Sequence, residues 1–279
     1  MAGLGNVGGR ANDGCHPAGK GRRSDAFDPI QSRESAVPAV LMFLYGVASY
    51  VVFLATILYM IAFAGNLPVP KTIDSGAPGG LVGSVVVNLM LLGVFGVQHS
   101  VMARPAFKRW WTRFVPEPIE RSTYVLAASA ALALFLWQWR PIAEPVVWNV
   151  QDRVATIAIQ AMFGLGWALL FLSSFLINHF ELFGLSQIYY RLVGGAPKAQ
   201  EFHTPFLYRQ VRHPLYLGFV IGAWATPTMS LGHLLFAVGM TGYILIGIYF
   251  EERDLVSQFG ERYLRYRERV GMLLPWPRK

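Results

Sequence analysis

Four separate runs of this chain, near residues 39–64, 81–101, 123–139 and 154–177, are apolar over the length that a helix needs to cross a hydrocarbon core of roughly 30 Å. A fifth run, 214–250, is too long for one span. Pro227-Thr228 divides it into a short arm, 214–226, and a longer one, 229–250, which together read as a helical hairpin. With 54% hydrophobic residues, 14% charged residues and a mean hydropathy of +0.39, the chain is too apolar for an ordinary soluble domain. The expected fold is all-α: a polytopic transmembrane bundle of five to six membrane segments, the last two forming the hairpin. Beyond it, Leu255, Phe259, Tyr263, Tyr266 and Val270 recur at helical spacing among Arg and Glu, so 251–270 reads as a C-terminal amphipathic helix along the interface.

Loop charge orients the bundle. With an inside N-terminus and six segments, all of the 24 Lys and Arg except Lys71, Arg140 and Arg153 fall on the cytoplasmic side. A five-span reading strands the basic C-terminal stretch outside. The formal charge of +8 is therefore a matter of topology, and nucleic acid is not an expected partner. Residues 1–36 have no apolar h-region and read as a disordered cytoplasmic tail rather than a secretory signal. The expected organisation is four spans in 37–180, a cytoplasmic loop in 181–212, and the hairpin with its amphipathic helix in 213–279. Cys15 is the only cysteine, which removes disulfides and multi-cysteine metal sites.

Five segments then deliver polar groups to one face. Gln98-His99-Ser100 ends the second span there, Arg121-Ser122-Thr123-Tyr124 opens the third, Asn178-His179 with Glu181 ends the fourth, and Arg212-His213 and Glu251-Glu252 bracket the hairpin. Taken singly, each is equally a helix-end residue meeting lipid headgroups. As an ensemble they mark a cytoplasmic site.

Arg212-His213-Pro214-x-Tyr216-x-Gly218, followed by Glu251-Glu252 and Phe259-Gly260-x-x-Tyr263-x-x-Tyr266, resembles the C-terminal signature of the integral-membrane methyltransferases. These include isoprenylcysteine carboxyl methyltransferases and phospholipid N-methyltransferases. Gln98 to Pro105 and Glu120 to Tyr124 resemble the NnrU-like branch. Together with Asn178 to Gly184 and Ala225 to Met229, they make residues 40–275 similar to the bacterial methanethiol S-methyltransferases. The resemblance implies an inner-membrane enzyme that uses S-adenosylmethionine to methylate methanethiol, or a similar small thiol, to dimethyl sulfide.

The residues suit such a donor. Glu251 and Glu252 offer acceptors for an ammonium or ribose hydroxyls, and Arg212 a donor for a carboxylate. Tyr216, one turn after His213, offers a ring to adenine or sulfonium, and Pro214 sits where a helix's first turn needs no N–H. His213 is either part of the site or a helix cap, and Gly218 completes the motif. Gly164-x-Gly166 resembles the Gly-x-Gly of the phospholipid enzymes, and equally fits close helix packing. A small thiol has a pKa at or above the ~8.5 of cysteine, so a base is needed. His99 and His179 are the candidates, with Tyr124, Asn178 and Arg121 to orient them, and His99 has the more polar surroundings. The alternatives are a lipid amine or a prenylated cysteine carboxylate as acceptor, a haem or metal protein built on His99, His179 and His203, and a non-catalytic membrane component.

Overall fold

The computed structural model describes residues 29–77, 79–195 and 202–275, with side chains described from Pro38 onward. Residues 1–28, most of the expected tail, lie outside the described residues, and α1 (Pro29–Ala64) begins within the remainder of it. The other long helices are α2 (Leu81–Ala103), α4 (Glu117–Gln138), α5 (Arg153–Leu176) and α9 (Leu231–Phe259). All five are long and apolar enough to cross a membrane; α8 (Pro214–Trp224) is apolar but shorter. Only 11% of the most apolar window of α2, and the same share of α5, is buried within the protein, so their remaining apolar surface belongs against lipid. This is a multi-pass membrane protein built of helices.

The hairpin is present, with unequal arms. Pro214 occupies the first turn of α8, and Trp224 ends it. The chain then runs extended through Pro227 into β2 (Thr228–Ser230), which pairs antiparallel with β1 (Val146–Asn149) in the loop between α4 and α5. This two-stranded sheet, too short to show sustained alternation in the sequence, caps the face opposite the charged helix ends. Ser230 caps α9 by accepting the His233 N–H at 3.0 Å, and Asp152 caps α5 by accepting that of Ala155 at 2.8 Å.

α9 does not stop at the end of its apolar run. Glu251 and Glu252 lie inside it, and the expected amphipathic helix 251–270 is divided: its first half prolongs α9 to Phe259, and α10 (Glu261–Arg269) follows. The break is Gly260, whose φ of 54° is left-handed backbone open to glycine at little cost. The expected loop 181–212 holds α6 (His179–Leu182), α7 (Leu185–Val193) and the 3₁₀ turn Phe206–Arg209, while α3 (Pro105–Trp111) follows α2.

The tightest helix pair is α5 with α8. A Cβ on Gly166 stands 2.6 Å from the Gly222 nitrogen and 2.8 Å from the Gly218 oxygen, and one on Gly218 stands 2.5 Å from the Gly166 oxygen. These small residues let two backbones touch, the usual means of helix association in lipid. The largest buried apolar cluster, including Phe63, Trp139, Trp167 and Phe236, lies toward the sheet. The charged face is left to polar contacts.

Candidate active site

The motif residues at the two ends of the hairpin meet. Arg212 Nε donates to Glu252 Oε1 at 2.7 Å, and the same oxygen is 3.1 Å from His213 Nε2. Tyr216, one turn into α8, donates its hydroxyl to Glu251 Oε2 at 2.8 Å. Arg212 also donates through one terminal nitrogen to the Arg267 carbonyl at 3.0 Å and to that of Val270. The main chain adds Arg212 N–H to Gly271 O at 2.8 Å and His213 N–H to Met272 O at 3.1 Å. Arg212 thus clasps α9 to the turn after α10, and its guanidinium is engaged in structure.

The two carboxylates are not equivalent. The Glu252 side chain is 13% exposed and held by Arg212 and His213, whereas that of Glu251 is 41% exposed and faces the open side. Tyr263, on α10, is buried, and its hydroxyl finds no hydrogen-bond partner among the described residues. Burial, reinforced by Glu252, raises the Tyr263 hydroxyl above its ordinary range and pushes Tyr266 up to about 12, so both are neutral at neutral pH. Tyr266 donates to the Tyr208 carbonyl, and Tyr208 to that of Ser173 at 3.3 Å, fastening α10 and the 3₁₀ turn to α5.

A second group of residues adjoins this corner. His99 on α2 places Nε2 at 2.9 Å from the Tyr124 hydroxyl on α4, and that hydroxyl also reaches the His99 carbonyl at 3.5 Å. His99 Nδ1 is buried without a hydrogen-bond partner among the described residues. The imidazole stacks on Phe95 at 5.4 Å between centroids and meets the Tyr243 ring edge-on at 6.3 Å. Arg121 lies over the Tyr124 ring at 5.0 Å and donates to the Leu182 carbonyl at 2.7 Å. Tyr243 stands on α9 ahead of Glu251 and its ring meets that of His99, so α9 links the His99 group to the carboxylate corner. α2, α4, α8 and α9 together bring these polar side chains to the charged face.

The other expected histidine opens α6, whose Leu182 carbonyl accepts from Arg121. His179 Nδ1 is 2.8 Å from Ser174 Oγ, its Nε2 is 2.8 Å from the Tyr50 hydroxyl, and its ring stacks on Phe175 at 4.2 Å. Both nitrogens are used in pinning α6 to α1 and α5. Burial lowers its pKa from the ordinary 6.5, which suits a neutral ring between hydroxyls. Asn178 stands at φ 90° and caps α6, accepting the Glu181 N–H at 3.3 Å. Gly166 is buried in the α5–α8 seam together with Gly218, while Gly164 is exposed and open. His203 is exposed, and among the described residues no group of three or more His, Cys, Asp or Glu could hold a metal ion.

Tyr243 and Tyr50 were not singled out by the sequence. Each is a hydroxyl inside an apolar run, and for Tyr243 the placement two helical turns before Glu251 was the available signal.

The family model described as "NnrU protein" matches residues 88–269. A methanethiol S-methyltransferase of Mycobacterium tuberculosis is 55% identical over 239 residues, covering 86% of this chain and 98% of the relative. Methanethiol S-methyltransferase 1 of Bradyrhizobium diazoefficiens is 53% identical, covering 85% of this chain and 83% of the relative. Nurim of Bos taurus is 29% identical, covering 82% and 92%. No solved structure matches the chain.

Proposed function

The chain belongs to the NnrU family and, within it, to the methanethiol S-methyltransferases, and on that footing we propose that it methylates methanethiol to dimethyl sulfide at the charged face, using S-adenosylmethionine. The observation that carries this reading is the junction of the two residue groups on α9: its Glu251 accepts from Tyr216, and its Tyr243 ring meets that of His99, the partner of Tyr124.

The residues suit the donor. The half-exposed Glu251 offers an acceptor for an ammonium or ribose hydroxyl, and the buried, unpartnered Tyr263 hydroxyl offers a polar atom that a ligand can satisfy. Tyr216 and Tyr243 supply aromatic faces of the kind that attract a sulfonium cation. His213, Pro214 and Gly218 set the start of α8, and Arg212 with Glu252 fixes α9 against it. When bound, S-adenosylmethionine supplies a methyl group on a positively charged sulfur.

The thiol proton must leave before or during attack. His99 Nδ1 is the free nitrogen for it, since both nitrogens of His179 are engaged. If Tyr124 accepts from His99 Nε2–H and donates to the His99 carbonyl, Nδ1 carries the lone pair. Arg121 over the Tyr124 ring steadies that arrangement. His99 Nδ1 would take the proton of the thiol as the thiol sulfur bonds the methyl group that S-adenosylmethionine would supply, the electron pair of the broken methyl–sulfur bond staying with the donor. A site walled by apolar helices keeps water from both charges as they cancel. The segregation of all but three basic residues to this face supports a cytoplasmic opening in the inner membrane.

The test is product analysis with the purified full chain, methanethiol and methyl-labelled S-adenosylmethionine. Labelled dimethyl sulfide is expected, with His99→Asn abolishing it while donor binding persists. Absence of methylated product from every small thiol, with donor bound, overturns the substrate assignment; labelling of lipid instead moves it to a lipid acceptor.

A further inference from the structure

On the opposite face, α1 and α4 flank a groove of about 450 Å³ lined by Ala55, Thr56, Tyr59, Leu136 and Trp137, with Lys71 at its mouth. That volume is within the roughly 300–1,000 Å³ of ligand clefts. The groove is far from the His99 group in the chain's order of travel: Tyr59 lies near the end of α1, and Trp137 near the end of α4, next to the sheet. Its chemistry is divided. The walls are apolar, and the indole of Trp137, 71% exposed, stands on the rim.

The mouth is cationic and rigid. Tyr59 donates its hydroxyl to the Lys71 carbonyl at 3.1 Å and accepts the Lys71 N–H at 3.2 Å, so one groove-lining side chain holds both main-chain groups of that residue. Lys71 Nζ donates to the Trp137 carbonyl. Arg140, three residues beyond Trp137, acts on Lys71 as a second positive charge, and its main-chain N–H is anchored by Asn88 at 2.8 Å. Among the described residues neither cation forms an ion pair. Burial, and after it the Arg140 charge, lower the Lys71 pKa from its ordinary value. Two of the three basic residues on this side of the protein therefore converge on one apolar groove.

We propose that this groove binds a membrane phospholipid of net negative charge, one acyl chain lying between α1 and α4 and the phosphate meeting Lys71 and Arg140. Lys71 keeps two N–H groups beyond its bond to Trp137, and Arg140 presents a fork suited to phosphate oxygens. Trp137 sits where indoles favour the boundary between acyl chains and headgroups.

Native mass spectrometry of the full chain in detergent, titrated with phosphatidylglycerol or phosphatidylcholine of the same acyl chains, tests this. One phosphatidylglycerol is expected to be retained at concentrations about tenfold below those needed for phosphatidylcholine, equivalent to about 1.4 kcal/mol. Lys71→Gln with Arg140→Gln should erase that preference, and Arg153→Gln, the remaining basic residue of that side, should keep it. Ala133→Trp, which fills the groove from α4, should remove retention of both lipids, while unchanged donor binding reports that the charged face is intact. Equal retention of the two lipids by the unaltered chain, or a preference that survives the double substitution, overturns the proposal.

Discussion

Gly164 and Gly166 form one sequence motif, yet they face different surroundings, and alanine at each gives opposite outcomes. At Gly166 the added Cβ stands 2.6 Å from the Gly222 nitrogen and 2.8 Å from the Gly218 oxygen, both main-chain atoms that no rotamer change can move. Ordinary contact begins near 3.4 Å, so α8 must retreat by roughly 0.6–0.8 Å. Overpacking of this kind costs about 1–3 kcal/mol. The retreat carries Tyr216 away from Glu251, and a displacement of about 1 Å in a reacting constellation can cost on the order of 100-fold in rate. Gly166→Ala should therefore lower the unfolding midpoint in detergent and weaken both donor binding and turnover. Gly164→Ala meets nothing within 4 Å and should leave function unchanged, with a gain of about 0.5–1 kcal/mol from helix propensity. Fluorimetric unfolding and calorimetric donor binding on both variants decide the matter. Loss of donor binding in Gly164→Ala without loss of stability would refute the packing argument, because it would make the motif a direct donor contact.

His179→Ala takes away the partner of the Tyr50 hydroxyl, while Ser174 keeps its bond to the Phe171 carbonyl at 2.7 Å, and should cost about 1–3 kcal/mol in unfolding assays, whereas His99→Asn should remove turnover with the midpoint little changed. The depressed pKa of His179 gives a pH signature: below the ordinary 6.5 the unfolded chain takes up a proton that the folded one resists, so stability falls as pH drops through that value. His179→Gln should flatten that slope in unfolding measured from pH 7.5 to 5.5. Tyr216→Phe, which keeps the ring but loses the 2.8 Å bond to Glu251, should weaken donor binding several-fold without unfolding the chain, as read by calorimetry.

The span positions and the gathering of charge at one face were legible because length and loop charge are enough to read them. The meeting of Arg212 with Glu252, 40 residues apart, was legible only as a shared membrane level, through the Pro227 break. Rotational phase was harder. A helix apolar all round gives hydropathy no preferred face, so Tyr243 and Tyr50 passed as lining, and His179 could not be told from His99. Arg212 read as a donor suited to a carboxylate, and its bonds to the Arg267 and Val270 carbonyls left no signal because main-chain atoms have no residue name in a sequence. The apparent amphipathic helix 251–270 ran through Gly260 because the spacing of its apolar residues hides a turn.

The clasp around Arg212 also has a timetable. Its partners at Arg267, Val270, Gly271 and Met272 follow all five long helices in the chain, so they leave the ribosome after α1, α2, α4 and α5 have had the opportunity to enter the bilayer. A nascent chain halted before Arg267 carries all five long helices and both motif carboxylates, yet lacks the main-chain acceptors that hold the Arg212 guanidinium and the N–H groups of Arg212 and His213. Assembly of the corner thus waits for a segment made after every long helix, and a chain truncated before Arg267 should be inserted in the membrane but incompetent.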